Sequence, residues 1–256
     1  MINLQKAKNE FINYTNQFDQ ENKNIKGKVD HSLRVMEISN ELAEELKLEQ
    51  EEIELATLIG LLHDIGRFEQ RTKFNTFSDI KSIDHGKLGV EILEKNNYLD
   101  KFIETRQYDG IIKKSIRNHN QYKIEDGVNA KELQFCKLIK DADKIDIFYE
   151  ATEFFWQDEQ IHKEIEGSVI TKEVWEQFQN QVLVENGTKK NELDHFIGLL
   201  SFVFDLNFKQ SMQIILKNEY INKCINRFDF EQPKTKEQIN IIKEQIDKYL
   251  KEKIQK

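Results

Sequence analysis

A chain of 256 residues with one proline and ten glycines has too few turn formers for a β-rich fold, and its Glu, Lys, Gln, Leu and Ile content favours helix. Lys and Arg total 38 against 46 Asp and Glu, and the net charge of -8 excludes a broad attraction to nucleic acid polymers. The longest apolar run, 196–204, is about nine residues, far below the roughly 20 that a membrane-spanning helix needs. The N-terminal MINLQKAKNEF lacks the apolar stretch of a secretory signal. Cys136 and Cys224 stand alone, without metal-type spacing, and suit buried positions in a reducing compartment. The expected location is therefore cytoplasmic, with no membrane partner.

In chain order, Leu4, Ala7, Phe11, Tyr14 and Phe18 make one face of a first helix over 4–18. Asp30 is the expected cap of a helix over 31–47, on which His31 shares a stripe with Val35, Ile38, Leu42 and Leu46. A third helix over 50–65 leads to His63, and Gly66 is a natural stop. Residues 67–84 show poor periodicity and read as an active-site loop. His85 opens a helix over 85–95, and the stripe Ile112, Ser115, Ile116, His119 closes another. A helix from about 131 sets Cys136, Ile139, Asp143 and Ile147 on one face. Beyond 150, amphipathic stretches alternate with polar breaks, and Pro233 precedes a last helix carrying Ile239, Ile242, Ile246 and Leu250. The expected fold class is all-α, with 1–256 a single helical domain whose residues 151–256 form a C-terminal extension.

Four of the six histidines fall in the series His31, His63-Asp64, His85, His119, Asp143. Imidazole and carboxylate in this mixture suit Mn, Fe, Ni, Zn or Mg. A single histidine on an apolar face is usually a core residue, but Asp64 and Asp143 on inner faces are different, because a buried carboxylate is costly without a partner. Buried acids and buried histidines account for one another when a cation lies between them. Adjacent His63 and Asp64 diverge by about 100° on a helix, so one can bind an ion while the other reaches between two. A bridging carboxylate suits a two-metal site with ions roughly 3.5–4 Å apart.

His31, HDIGR at 63–67 and DADK at 141–144 resemble the HD superfamily of metal-dependent phosphohydrolases over about 28–150. Asp84-His85-Gly86 and Asn118-His119-Asn120 match the two extra histidines of its dinuclear members. The resemblance implies a compact helical bundle whose metal-binding core is 28–150. It also implies a first ion on His31, His63, Asp64 and Asp143, and a second held by Asp64, His85 and His119. The chain departs from the HD-GYP group, which has a double histidine where Asn118-His119 stands and a Gly-Tyr-Pro stretch absent after Asp126-Gly127. Hydrolysis of cyclic-di-GMP is therefore not expected.

The implied activity is hydrolysis of a nucleotide or similar small phosphate ester, by a phosphodiesterase or phosphatase using metal-activated water. Asp64 holds the bridge, and Arg67 is the best-placed candidate donor to the phosphoryl oxygens, with Lys144 and Lys123 weaker ones. The competing role for Arg67 is an ion pair with Glu69 or an acidic neighbour. Glu69 and Asp146 are candidate proton carriers or supporting partners. His162 and His195 lie outside the series, His195 as an expected core residue, and Trp156 and Trp175 as packing anchors. Two alternatives stay open: a mixed-valence di-iron oxygenase on the same ligands, and a non-catalytic nucleotide-sensing domain. A homodimer is compatible with the sequence.

Overall fold

Local capping chemistry sets several helix boundaries in the computed structural model, which describes residues 1–255 and contains no strand among them. Asn3 accepts from Lys6 N at 2.9 Å and starts α1, Leu4–Thr15. Asn22 accepts from Asn24 N at 3.0 Å and starts α2, Lys23–Glu45. The expected cap, Asp30, instead lies exposed inside α2. Asn22 is as good a capping residue as Asp30, and buried Ile25 extends the inner stripe back to it.

The reciprocal Glu49–Glu52 box starts α3, Gln50–Leu62. The helix breaks at His63-Asp64, and α4, Ile65–Phe74, follows at once. The expected stop at Gly66 and the expected loop from 67 are thus corrected. Gly66 sits in the first turn of α4, where a Cβ would lie 2.2 Å from His85 O and 2.7 Å from Gly89 N. Glycine is required there because the backbones of α4 and α5, His85–Glu94, touch. The loop shrinks to 75–84, beginning at left-handed Asn75 and containing one 3-10 turn, Asp79–Lys81.

Asp84 caps α5 through Lys87 N at 3.1 Å, and α6 spans Asp109–Asn118. Gly60 does for α2 and α3 what Gly66 does for α4 and α5. A Cβ on it would meet Ser39 Oγ at 2.5 Å and Val35 O at 2.8 Å. α1 closes this part of the core with Phe11 and Tyr14 edge-on to Phe68, at ring distances of 5.8 and 6.0 Å.

α7, Ala130–Glu153, differs from the single inner face expected of it. Phe135, Cys136, Leu138, Ile139, Asp141, Ala142, Ile145, Asp146 and Phe148 are all buried, so the helix is enclosed on most sides. The chain divides into two compact units, Met1–Asp143 and Lys144–Lys256, the boundary falling inside α7.

The second unit adds α8 (Glu159–Gly167), α9 (Lys172–Gln179), α10 (Glu192–Leu200), α11 (Lys209–Lys217), α12 (Tyr220–Ile225) and α13 (Pro233–Gln255). Its core includes Phe178, Leu193, Phe196, Ile197, Ile242, Ile246 and Leu250. Trp156 packs edge-on to Phe196 and Phe228 at 5.2 and 5.8 Å, as a packing anchor. The expectation of a core His195 is corrected, since it is exposed. Leu193, Phe196, Ile197 and Leu200 set the inner face of α10, and position 195 turns away from it. The buried polar residue is its neighbour Asp194, which accepts from Thr171 N and Lys190 N, both at 2.9 Å. No helix among the described residues is long and apolar enough to cross a membrane.

Candidate metal centre

The first unit brings all six ligand candidates into one buried nest. His31 comes from the middle of α2, His63 and Asp64 from the break between α3 and α4, and His85 from the first residue of α5. His119 ends α6, and Asp143 lies on α7. His31 Nε2 lies 3.2 Å from His63 Nε2, 3.2 Å from Asp143 Oδ1 and 3.5 Å from Asp64 Oδ2. His63 Nε2 stands 3.6 Å from Asp143 Oδ1 and 3.7 Å from Asp64 Oδ2. The other carboxylate oxygen, Asp64 Oδ1, faces His85 Nε2 at 3.3 Å and His119 Nε2 at 3.5 Å. Those two nitrogens are 3.0 Å apart.

Bonds of about 2.0–2.2 Å around one ion put neighbouring ligand atoms about 3.0–3.5 Å apart, close to the spacings in both groups. Asp64 therefore divides the set, with Oδ2 toward His31, His63 and Asp143 and Oδ1 toward His85 and His119.

The outer hydrogen bonds test whether a cation fits. His63 Nδ1 meets Gly60 O at 2.7 Å, and His119 Nδ1 meets Ile116 O at 2.7 Å. A carbonyl only accepts, so each Nδ1 donates and each ring turns its Nε2 inward. His85 Nδ1 lies 2.7 and 2.9 Å from the two oxygens of Asp79, and it too donates outward. The Nε2 atoms of His85 and His119 thus face each other across the inner side of the nest, and a cation between them would make them a pair of ligands.

Burial pushes His119 down to about 4, with His85 and His63 adding to the shift against the pull of Asp64, so the ring is neutral near pH 7. Burial alone would raise Asp64 and Asp143. Lys28, His63, His119 and His85 hold Asp64 well below the usual carboxyl range, and His31 and His63 do the same for Asp143. The nest thus holds a neutral His119 beside two ionised carboxylates, forms that ligate a divalent ion.

The surrounding candidates fare differently. Arg67 Nη1 bonds Gln70 Oε1 at 2.9 Å, Asp79 Oδ1 at 3.0 Å and Phe77 O. The arginine thus has the ion-pair role, with Asp79 in place of Glu69, because Glu69 is taken by Lys73. Arg67 Nε, 3.6 Å from Asp64 Oδ1, makes no hydrogen bond. Lys144 pairs with Asp205 at 2.8 Å in the second unit, and its ammonium is not held ready for a phosphoryl oxygen as expected. Lys123 is exposed and 3.3 Å from Asp126. Asn118, where a further histidine would stand, bonds Lys114 O and Glu125 N, both at 2.8 Å. His162 lies in the second unit, against Glu166 and Phe228.

Two neighbours escaped the sequence reading. Lys28 Nζ reaches Asp64 Oδ2 at 2.8 Å while its side chain stays 22% exposed. It lies three residues before His31 and shares that face only once α2 is extended back to Asn22. Asp79 comes from the loop, and its signal is indirect: His85 opens its helix and so lacks a preceding turn whose carbonyl could accept from Nδ1.

Neither the curated proteins nor the solved structures gave a match to this chain. The family model for the HD domain matches residues 29–147, a span that contains all six ligand candidates. The match and the nest agree: residues 29–147 are similar to the HD domain family and carry a His/Asp cluster compatible with its metal site.

Proposed function

We propose that the chain is a metal-dependent phosphohydrolase, a phosphodiesterase or phosphatase, acting on a nucleotide or similar small phosphate ester. The observation that carries this reading is the division of five ligands between the two oxygens of Asp64. In it His31, His63, Asp64 and Asp143 hold one divalent ion, and Asp64, His85 and His119 hold a second; Mn, Fe, Ni, Zn and Mg are all compatible. When bound, such ions acidify water and polarise a phosphoryl oxygen.

The chain's own contribution is to fix the donors and supply positive charge at the rim. Lys28, mostly buried at the nest with its side chain 22% exposed, is the cation placed to meet an anionic ester. Arg67 keeps Nη1 on the loop and turns Nε toward Asp64. In this reading the phosphate contact first expected of Arg67 and Lys144 passes to Lys28.

The test is a panel of phosphate mono- and diesters with metal-stripped and reloaded protein, alongside oxygen uptake by anaerobically iron-loaded protein. Hydrolysis that appears only on reloading is the expected result. Oxygen uptake without ester hydrolysis would replace the reading with dioxygen chemistry, and tight metal binding with neither would leave a sensing domain.

A further inference from the structure

We propose that Asp79 is the positioning residue of the second ion, holding His85 as a ligand by accepting from its Nδ1. The inference rests on the two-ion reading and goes beyond the six ligands.

Helix position explains why His85 needs such a partner. His63 and His119 cap the C-terminal ends of α3 and α6, where carbonyls are left over, and each donates Nδ1–H to the carbonyl three residues earlier. His85 is the first residue of α5, an end that offers free N–H groups and no carbonyl. Its Nδ1 is met by a side chain from the loop, and that side chain is a carboxylate at 2.7 and 2.9 Å.

The loop is built to deliver this group. Ile80, beside Asp79, is 83% exposed, and no residue of the 3-10 turn is buried, so apolar packing does not hold it. Polar fastening does. Arg67 and Gln70, one turn apart on α4, reach Asp79 Oδ1 at 3.0 and 2.8 Å. Asn120 donates to Asp79 Oδ2 at 3.0 Å. Gln70 also donates to Ser82 Oγ at 3.0 Å and Ile83 O at 2.8 Å.

A carboxylate behind a ligating imidazole fixes ring orientation and raises its basicity. The second ion has only three protein ligands, so loss of this support falls on that ion alone. His63, of the first ion's set, keeps its own partner in Gly60 O.

The experiment titrates metal-stripped protein with cobalt(II), following visible absorption and metal content by plasma mass spectrometry. Wild type takes up two equivalents. Asp79→Ala is expected to bind the first as wild type does, and the second about 10–100-fold more weakly with a shifted absorption band. Asp79→Asn, which keeps an oxygen acceptor for Nδ1–H, recovers part of the second affinity. Two equivalents bound by folded Asp79→Ala with wild-type affinity and spectrum would overturn the proposal and reduce Asp79 to a loop fastener. Should the alanine variant not fold, Asp79→Asn decides by the same criterion. Wild type that binds no cobalt would overturn the two-ion reading and this inference together, a result distinct from failure in the variant alone.

Discussion

Lys28 and Arg67 are both cations at the edge of the nest, and their hydrogen bonds give them different duties. Lys28 touches the bridging carboxylate and solvent; Arg67 is tied through Nη1 to Gln70, Phe77 and Asp79. Lys28→Ala should keep metal content and lose about 10²-fold in kcat, the lower scale for removing one charge-stabilising donor. Arg67→Ala should act through Asp79, with the second ion bound more weakly and turnover recovering at high metal concentration. Steady-state kinetics against metal concentration separates the two, and equal kcat in Lys28→Ala and wild type would return the phosphate contact to Arg67. The clustering of the ligand candidates was legible because buried carboxylates and histidines on inner faces demand a common reason. Asp79, Gln70 and Asn120 were not, because they reach the site from a loop and two neighbouring segments with no periodicity to betray them.

At the scale of elements, helix identity follows from the 3.6-residue spacing of apolar side chains, and nearly every expected helix is present. Boundaries were harder to read. Asn22 and Asp30 are equally valid caps, and only the packing of Ile25 chooses between them. Gly66 carries both a stop signal and a close-approach signal, which local sequence does not distinguish. α4 looked like a loop because only part of it packs inward, through Phe68 and Gln70. Its close contact with α5 is testable. In Gly66→Ala the new methyl meets the backbone at His85 O, which has no rotamer to move aside. The variant should lose about 1–3 kcal/mol in denaturant unfolding, and an unchanged midpoint would mean that α4 and α5 are further apart than described.

For the whole molecule, the unit Met1–Asp143 contains every ligand candidate, and the second unit contributes none of the six. No Gly/Ser/Pro-rich linker marks the division, because it falls within the continuous helix α7. The proposed centre depends above all on Asp64, the one residue shared between both groups of ligand candidates. Metal content after stripping and reloading, measured by plasma mass spectrometry, tests this directly. Wild type and His195→Ala should hold two ions per chain, His119→Ala mainly one, and Asp64→Ala the least of the four. Metal content in Asp64→Ala equal to wild type, with the fold intact, would contradict the bridge and the dinuclear centre built on it.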